Sequence, residues 1–309
     1  MNFRLDQAHA ATSAQDLACN GEQHRMSERT IQDILTVRAR RFAAAPTFRQ
    51  AVLRFSEGYI EFRQGPRLLS KLLSRDASWR VIGYLLFLHA DRVQFGSAGA
   101  TYRRLLDLCS RRNEVSRRTL KTMLALLRLA GFIQASISPS DRRVKIYRPT
   151  ERMMGFVRRW LSYPVATLDV LEPEYKRTHS LHHDPGFIER FLVSGGRQFT
   201  TATPPTERVP ELSFFADGPE NAFLVLVVVR FAEMHGTPVG SRAEIAHRFG
   251  LSKTHVTNVL MGGAERGFFS FDDAGIPSTT AAARALYDRW VALELAFYAE
   301  NMRPLDARA

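Results

Sequence analysis

Arg117 and Arg118, with Lys121 one turn further on, lie between Ser116 and Thr122 in a stretch of helical periodicity. A guanidinium at the start of such a helix can grip two acceptors on the edge of a guanine, worth ~1–3 kcal/mol of discrimination. Ser, Thr and Lys side chains serve phosphate oxygens equally well, which positions a protein without reading sequence. Arg111 and Arg112 precede this stretch at a turn, and Arg103 and Arg104 lie on the segment before that. Downstream, Arg142, Arg143 and Lys145 gather at a second turn, with Arg148 following. An Arg on such a turn gains from the enhanced negative potential of a narrow groove. Asp141 is the odd charge among them and is expected to fix the turn or an Arg. A second, weaker set comprises Ser252, Lys253, Thr254, His255, Thr257 and Asn258. Asn258 could pair bidentately with adenine, but with so few cations this set would bind weakly by itself.

The charge distribution supports the first set. The chain has 309 residues and a formal net charge of +12. Between Ser78 and Trp160, 15 Arg and 2 Lys face 3 Asp and 2 Glu, a surplus of 12. Between Glu220 and Ala309, 8 Arg and 1 Lys face 4 Asp and 6 Glu, a deficit of 1. A high-GC codon bias would enrich Arg throughout and would not concentrate the surplus in one block. A localised surplus of this size selects a polyanionic partner.

The elements that must carry these groups follow from periodicity. Apolar residues at helical spacing predict helices over 30–41 (Ile31, Ile34, Leu35) and 47–62 (Val52, Phe55, Tyr59), with Pro46 between them and a further short helix over 67–74. Residues 79–89 are apolar nearly all round and predict a buried central helix. Thr101 is placed to cap a helix over 102–110, and Ser116 to cap one with apolar teeth at Leu120, Met123, Leu124 and Leu127 that Gly131 stops. Ile133, Ala135 and Ile137 alternate with polar residues, as do Val144 and Ile146, which predicts a hairpin. A helix over 151–161 follows, with Met154, Val157 and Leu161 inward. Residues 1–27 are polar, lack sustained periodicity and read as a tail.

The same order recurs. An apolar helix over 223–234 precedes a Ser241-capped helix over 242–249, a turn at Gly250-Leu251, and a Ser252-capped helix over 253–264. Ser116 and Ser252, Leu120 and Val256, and Gly131 and Gly267 share one offset of 136. Arg159-Trp160 matches Arg289-Trp290, and Pro46-Thr47-Phe48 matches Pro185-Gly186-Phe187. The chain thus reads as two copies, 28–165 and 166–309. The second hairpin, around 270–276, is shorter and carries Asp272 and Asp273, which would repel phosphate, and Gly262-Gly263 should weaken the helix before it. The expected fold is mainly α with small β-wings: two winged helix-turn-helix units related by a pseudo-twofold and joined by helices.

Other chemistry is not called for. No Gly-rich phosphate loop, nucleophile elbow or paired catalytic carboxylates are visible, so no enzyme, cofactor or metal is expected. His179 and His183 stand at a spacing that could hold zinc on a helix, but no partner residue sits at matched spacing and Pro185 follows closely. Cys19 and Cys109 form no disulfide framework, which suits a reducing cytoplasm. No apolar run approaches the ~20 residues of a membrane span.

Residues 140–161, SDRRVKIYRPTERMMGFVRRWL, resemble the MarR family of bacterial transcription regulators. That family has an Asp-x-Arg wing followed by a strand and a helix opening with Thr-Glu, places filled here by Asp141, Arg143, Thr150 and Glu151. The resemblance is specific over these residues and looser over the preceding helix pair. The second copy lacks the Asp-x-Arg wing and joins only through the repeat. Family members are homodimers that present one winged helix per subunit to a near-palindromic site, so two copies in one chain resemble a fused pseudo-dimer that needs no second chain. The resemblance implies a double-stranded DNA partner and a transcriptional role, with the first copy dominant, and admits a small-molecule effector whose binding residues it does not name. Two rivals remain open: a plasmid-type replication initiator with two winged helices, and a winged-helix scaffold for protein contacts.

Overall fold

Helix boundaries in this chain are set where hydroxyls cap and glycines stop. The computed structural model describes residues 30–64, 76–111, 115–138, 141–201, 203, 205–216 and 221–302. The expected tail over 1–27 and the short helix over 67–74 lie outside the described residues.

Helix α1 spans 30–43 and buries Leu35, Ala39 and Phe42. Helix α2 (Phe48–Arg63) buries Val52, Phe55, Ile60 and Phe62. Helix α3 (Asp76–Phe95) buries Val81, Ile82, Tyr84, Leu85, Leu86, Leu88 and Ala90 around most of its circumference, as its near-continuous apolar sequence requires. Strand β1 (Ala100–Thr101) leads into helix α4 (Tyr102–Arg111), where the Thr101 hydroxyl accepts from Arg104 N–H at 3.3 Å. Helix α5 (Arg117–Leu129) starts at Ser116, whose Oγ accepts from Thr119 N–H at 3.1 Å. Strands β2 (Ile133–Ile137) and β3 (Lys145–Pro149) form a hairpin in the register Ile133 to Pro149, Ala135 to Tyr147 and Ile137 to Lys145. Strand β1 pairs antiparallel with the other edge of β3.

Helix α6 (Glu151–Leu171) corrects the sequence expectation, which ended it at Leu161. It continues through Pro164, so the expected copy boundary at 165/166 falls inside one unbroken helix. A proline inside a helix removes one backbone bond and crowds the preceding turn. Packing offsets that cost here: Tyr163, Pro164, Val165 and Leu168 are all buried, and α2 lies close at Gly58, where a Cβ would sit 2.3 Å from Tyr163 Cβ.

Helix α7 (Arg177–His183) begins where the Asp169 carboxylate accepts from Arg177 N–H at 2.7 Å and Thr178 N–H at 2.9 Å. Helix α8 (Phe187–Thr201) follows, then short helical turns between 205 and 216. Helix α9 (Ala222–His235) is buried along most of its length. Helix α10 (Arg242–Phe249) carries a full capping box between Ser241 and Glu244. Helix α11 (Lys253–Glu265) starts at Ser252, whose Oγ accepts from His255 N–H at 3.0 Å. Strands β4 (Phe269–Phe271) and β5 (Pro277–Thr279) make a shorter antiparallel hairpin, and helix α12 (Ala281–Asn301) closes the described chain.

The molecule is therefore mainly helical with two small antiparallel sheets. The order helix, turn, helix, hairpin, helix occurs twice, down to individual hydrogen bonds. Gly131 and Gly267 take φ of +72° and +75°, a conformation that glycine adopts without Cβ strain. The Thr150 hydroxyl donates to Gly131 C=O at 2.7 Å, and the Thr280 hydroxyl to Gly267 C=O at 2.7 Å. Thr150 N–H donates to Phe132 C=O at 2.9 Å, and Thr280 N–H to Phe268 C=O at 3.0 Å.

Tertiary packing is crossed. Helix α3 packs on α8, and α9 packs on α2. Phe87 and Phe223, which share the 136-residue offset, face those partners. Phe87 lies against Gly196, where a Cβ would come within 2.5 Å of its ring atoms, and Phe223 meets Tyr59 with centroids 6.3 Å apart. Trp160 meets Phe191 at 5.9 Å, and Trp290 meets Phe55 at 5.6 Å. The buried apolar side chains from both halves make one continuous core.

Candidate nucleic-acid interface

Leu120, Met123, Leu124 and Leu127 turn one face of α5 into the core. That rotation leaves Arg117, Arg118, Lys121 and Thr122 exposed on the other side. The Arg117 and Arg118 side chains have no hydrogen-bond or ion-pair partner among the described residues, although the Arg117 carbonyl accepts from the Tyr102 hydroxyl at 3.5 Å. Lys121 Nζ lies 5.8 Å from the Tyr102 ring centroid on α4, a contact that leaves its charge exposed. The Ser116 hydroxyl is engaged in the cap and also lies 2.9 Å from the Thr119 hydroxyl. Arg111 is exposed at the end of α4, and Arg112 lies outside the described residues.

Across the hairpin turn, Arg142, Arg143 and Lys145 are exposed and have no side-chain partner among the described residues. Asp141 behaves as expected. Its carboxylate accepts from Arg143 N–H at 2.9 Å and its carbonyl from Val144 N–H at 3.0 Å, so it closes the turn. Arg104, in contrast, is tied inward. It donates to Gly99 C=O at 3.1 Å and Ser97 Oγ at 3.2 Å, with Asp91 at 3.7 Å. Arg103 on the same helix is exposed.

Behind the sheet, α3 presents His89 toward Arg148 of β3 and Arg92 of its own helix. Burial first, and these two cations after it, hold the imidazole below its ordinary pKa of 6.5. His89 Nδ1 is buried without a hydrogen-bond partner among the described residues.

The second set is different in kind. Lys253, Thr254 and Asn258 are exposed, whereas His255 is half-buried and the Thr257 hydroxyl donates back to Lys253 C=O at 3.0 Å. Two of the arginines nearby lie against aromatic rings. Arg266 donates to Gly262 C=O at 2.8 Å and covers the Phe214 ring at 4.5 Å, while Arg242 lies 5.7 Å from the Phe271 centroid. The Asp272 carboxylate accepts from Ala274 N–H at 3.0 Å and Ile276 N–H at 2.8 Å, so it is a turn device. Asp273 beside it is exposed.

Gly262 and Gly263 do not interrupt α11. Cβ atoms there would lie 3.1 Å from Phe214 and 2.6 Å from Phe269, so these glycines admit aromatic rings against the helix. Their spacing in the sequence shows a propensity cost but not this close approach.

Sequence reasoning also missed Ile137. It shares a face of β2 with Ile133 and Ala135, yet it is 60 % exposed. On the opposite face, at the same end of the hairpin, Ser138 and Ile146 are buried. The His179 and His183 rings lie 4.3 Å apart, and no group of three or more potential metal ligands occurs among the described residues. No described helix is long and apolar enough to cross a membrane. No protein-family model, curated protein or solved structure matches the chain.

Proposed function

We propose that the chain is a sequence-specific, double-stranded DNA-binding transcriptional regulator with two unequal winged helix-turn-helix heads, similar in plan to a fused MarR-type dimer. The carrying observation is the set of exposed cations on α4, α5 and the β2–β3 turn: Arg111, Arg117, Arg118, Lys121, Arg142, Arg143 and Lys145. Arginines and lysines exposed on one helix and its adjoining hairpin, without ion-pair partners among the described residues, are an electrostatic footprint for phosphate and base edges. In this reading α5 enters the major groove, where Arg117 and Arg118 reach base edges. The β2–β3 turn brings Arg142 and Arg143 to the adjoining minor groove.

The crossed packing supports the pseudo-dimer. Each half lays its apolar helix on the leading helix of the other, as an isologous interface requires. The second head contributes half-site geometry more than affinity, because Asp272 and Asp273 stand at its hairpin turn where the first head carries Arg142 and Arg143. The same observation favours a second reading for this head alone, a structural or protein-contact role.

The test is DNA titration by fluorescence anisotropy across a salt series. The double variant Arg117→Ala, Arg118→Ala is expected to lose at least about tenfold in affinity and to discriminate less between DNA sequences. Lys253→Ala and Asn258→Ala should cost less. A flat salt slope for the unaltered chain would remove the DNA reading. Equal losses at both heads would remove the asymmetry.

A further inference from the structure

Ile137 ends strand β2, directly across from Lys145. Ile133 and Ala135 share its side of the strand, where α5 packs on β2; Ile133 is buried and Ala135 half-buried. Ile137 lies one step beyond that cover, and 60 % of it is exposed. The turn it supports is held shut by Ser138 N–H to Val144 C=O at 2.8 Å and by Asp141 on Arg143 N–H. A large apolar side chain is thus fixed at the base of the turn that carries the unpaired Arg142 and Arg143. The second hairpin also exposes an apolar side chain at its turn, Ile276, 49 % exposed, but Asp272 and Asp273 stand beside it where the first hairpin carries Arg142 and Arg143.

We infer that Ile137 is a minor-groove specificity residue, a statement that rests on the DNA reading above. Delivered by the flanking cations, its side chain packs into the minor groove and penalises base pairs that carry the guanine amino group. Apolar side chains inserted into the minor groove are a recognised means of reading its shape. In that groove the guanine N2 amino group is the one donor that separates G·C from A·T. An isoleucine can offer it no acceptor, so covering it leaves a donor unpaired, which is costly. The β-branched side chain is stiff at χ1, so little rotamer freedom is lost on insertion. The preferred flank is therefore A·T-rich, and it acts together with the preference of Arg142 and Arg143 for a narrow groove.

Hypoxanthine makes the test clean. Alternating dI·dC duplex has the major-groove pattern of dG·dC but lacks the minor-groove amino group. The full chain is titrated at low salt against short alternating dI·dC, dG·dC and dA·dT duplexes. The unaltered chain should bind dI·dC and dA·dT about fivefold tighter than dG·dC. Ile137→Thr keeps a β-branched strand residue and should shrink that ratio to within about twofold, while Ile137→Val restores most of it. Arg117→Ala with Arg118→Ala should weaken binding and leave the ratio of dI·dC to dG·dC, whose major grooves are alike, in place. An unchanged ratio in Ile137→Thr overturns the role of Ile137 and leaves the DNA reading standing. Failure of the unaltered chain to bind any of the three overturns both.

Discussion

At Arg117, Arg118, Arg142 and Arg143 the useful property is what the side chains do not touch. Each is exposed, and none has a side-chain partner among the described residues. Arg104, one helix away, is tied to the 97–99 loop and to Asp91, which removes it from the same role. His89 shows the opposite extreme, a titratable group half-enclosed beside cations. Its folded pKa lies below the ordinary 6.5 because burial and then Arg148 and Arg92 disfavour the imidazolium. The sign follows from linkage. The unfolded chain takes up the proton first as pH falls, so stability is retained above 6.5 and declines below it, down to the folded pKa. Thermal melts between about pH 7.5 and 5.5 should show the midpoint falling as the pH drops. His89→Gln should flatten this part of the curve, and an unchanged slope would show that another group carries the dependence.

Among the elements, glycines divide into two kinds that sequence cannot separate. Gly83 on α3 has nothing within 4 Å of a built Cβ, whereas Gly58 on α2 would place its Cβ 2.3 Å from Tyr163 Cβ on α6. Gly83→Ala should therefore stabilise the chain by up to ~1 kcal/mol through helix propensity. Gly58→Ala gains the same propensity but must push two helices apart, and a net loss of about 1–3 kcal/mol is expected. Denaturant midpoints for the two variants should move in opposite directions, and parallel shifts would contradict the close α2–α6 approach. The same approach explains the continuation of α6 through Pro164. A helix gripped along its length by α2 keeps its direction where an isolated one would break.

The whole molecule is interlocked. Helix α3 lies on α8 and α9 on α2, and the apolar core runs without interruption between the halves. Trp79, Trp160 and Trp290 all belong to this aromatic core. Trp79 lies 6.0 Å from Trp160, and Trp290 lies 4.3 Å from Phe223. Neither half retains its packing if the other opens. Thermal unfolding should therefore be a single cooperative transition, with tryptophan fluorescence and far-UV circular dichroism giving the same midpoint. Two separated transitions would mean that the halves fold independently, as beads joined by a linker. Gly196→Ala, which would press on Phe87 at the α8–α3 crossing, should shift that one transition downward as a unit.

Local features were legible because they depend on near neighbours. The Ser116 and Ser252 caps, the stops at Gly131 and Gly267, the hairpins and the Asp141-closed turn all arise within a few residues of the groups that make them. The repeat was legible for the same reason, since equal local rules leave equal spacing. What only the tertiary structure decided depends on contacts far apart in sequence. The crossed packing of the halves, the passage of α6 beyond Leu161 and the accommodation of Phe269 by Gly263 are of this kind. Which cations are free is another, because Arg104 and Arg118 look alike until the partners of Arg104 are brought to it by the fold. Ile137 is the clearest instance. Its alternation with Ser136 is a property of the strand, but only the fold leaves Ile137 exposed while Ser138 and Ile146, on the other face, are buried. Strand periodicity fixes a side chain's face, and only packing determines whether that face is covered.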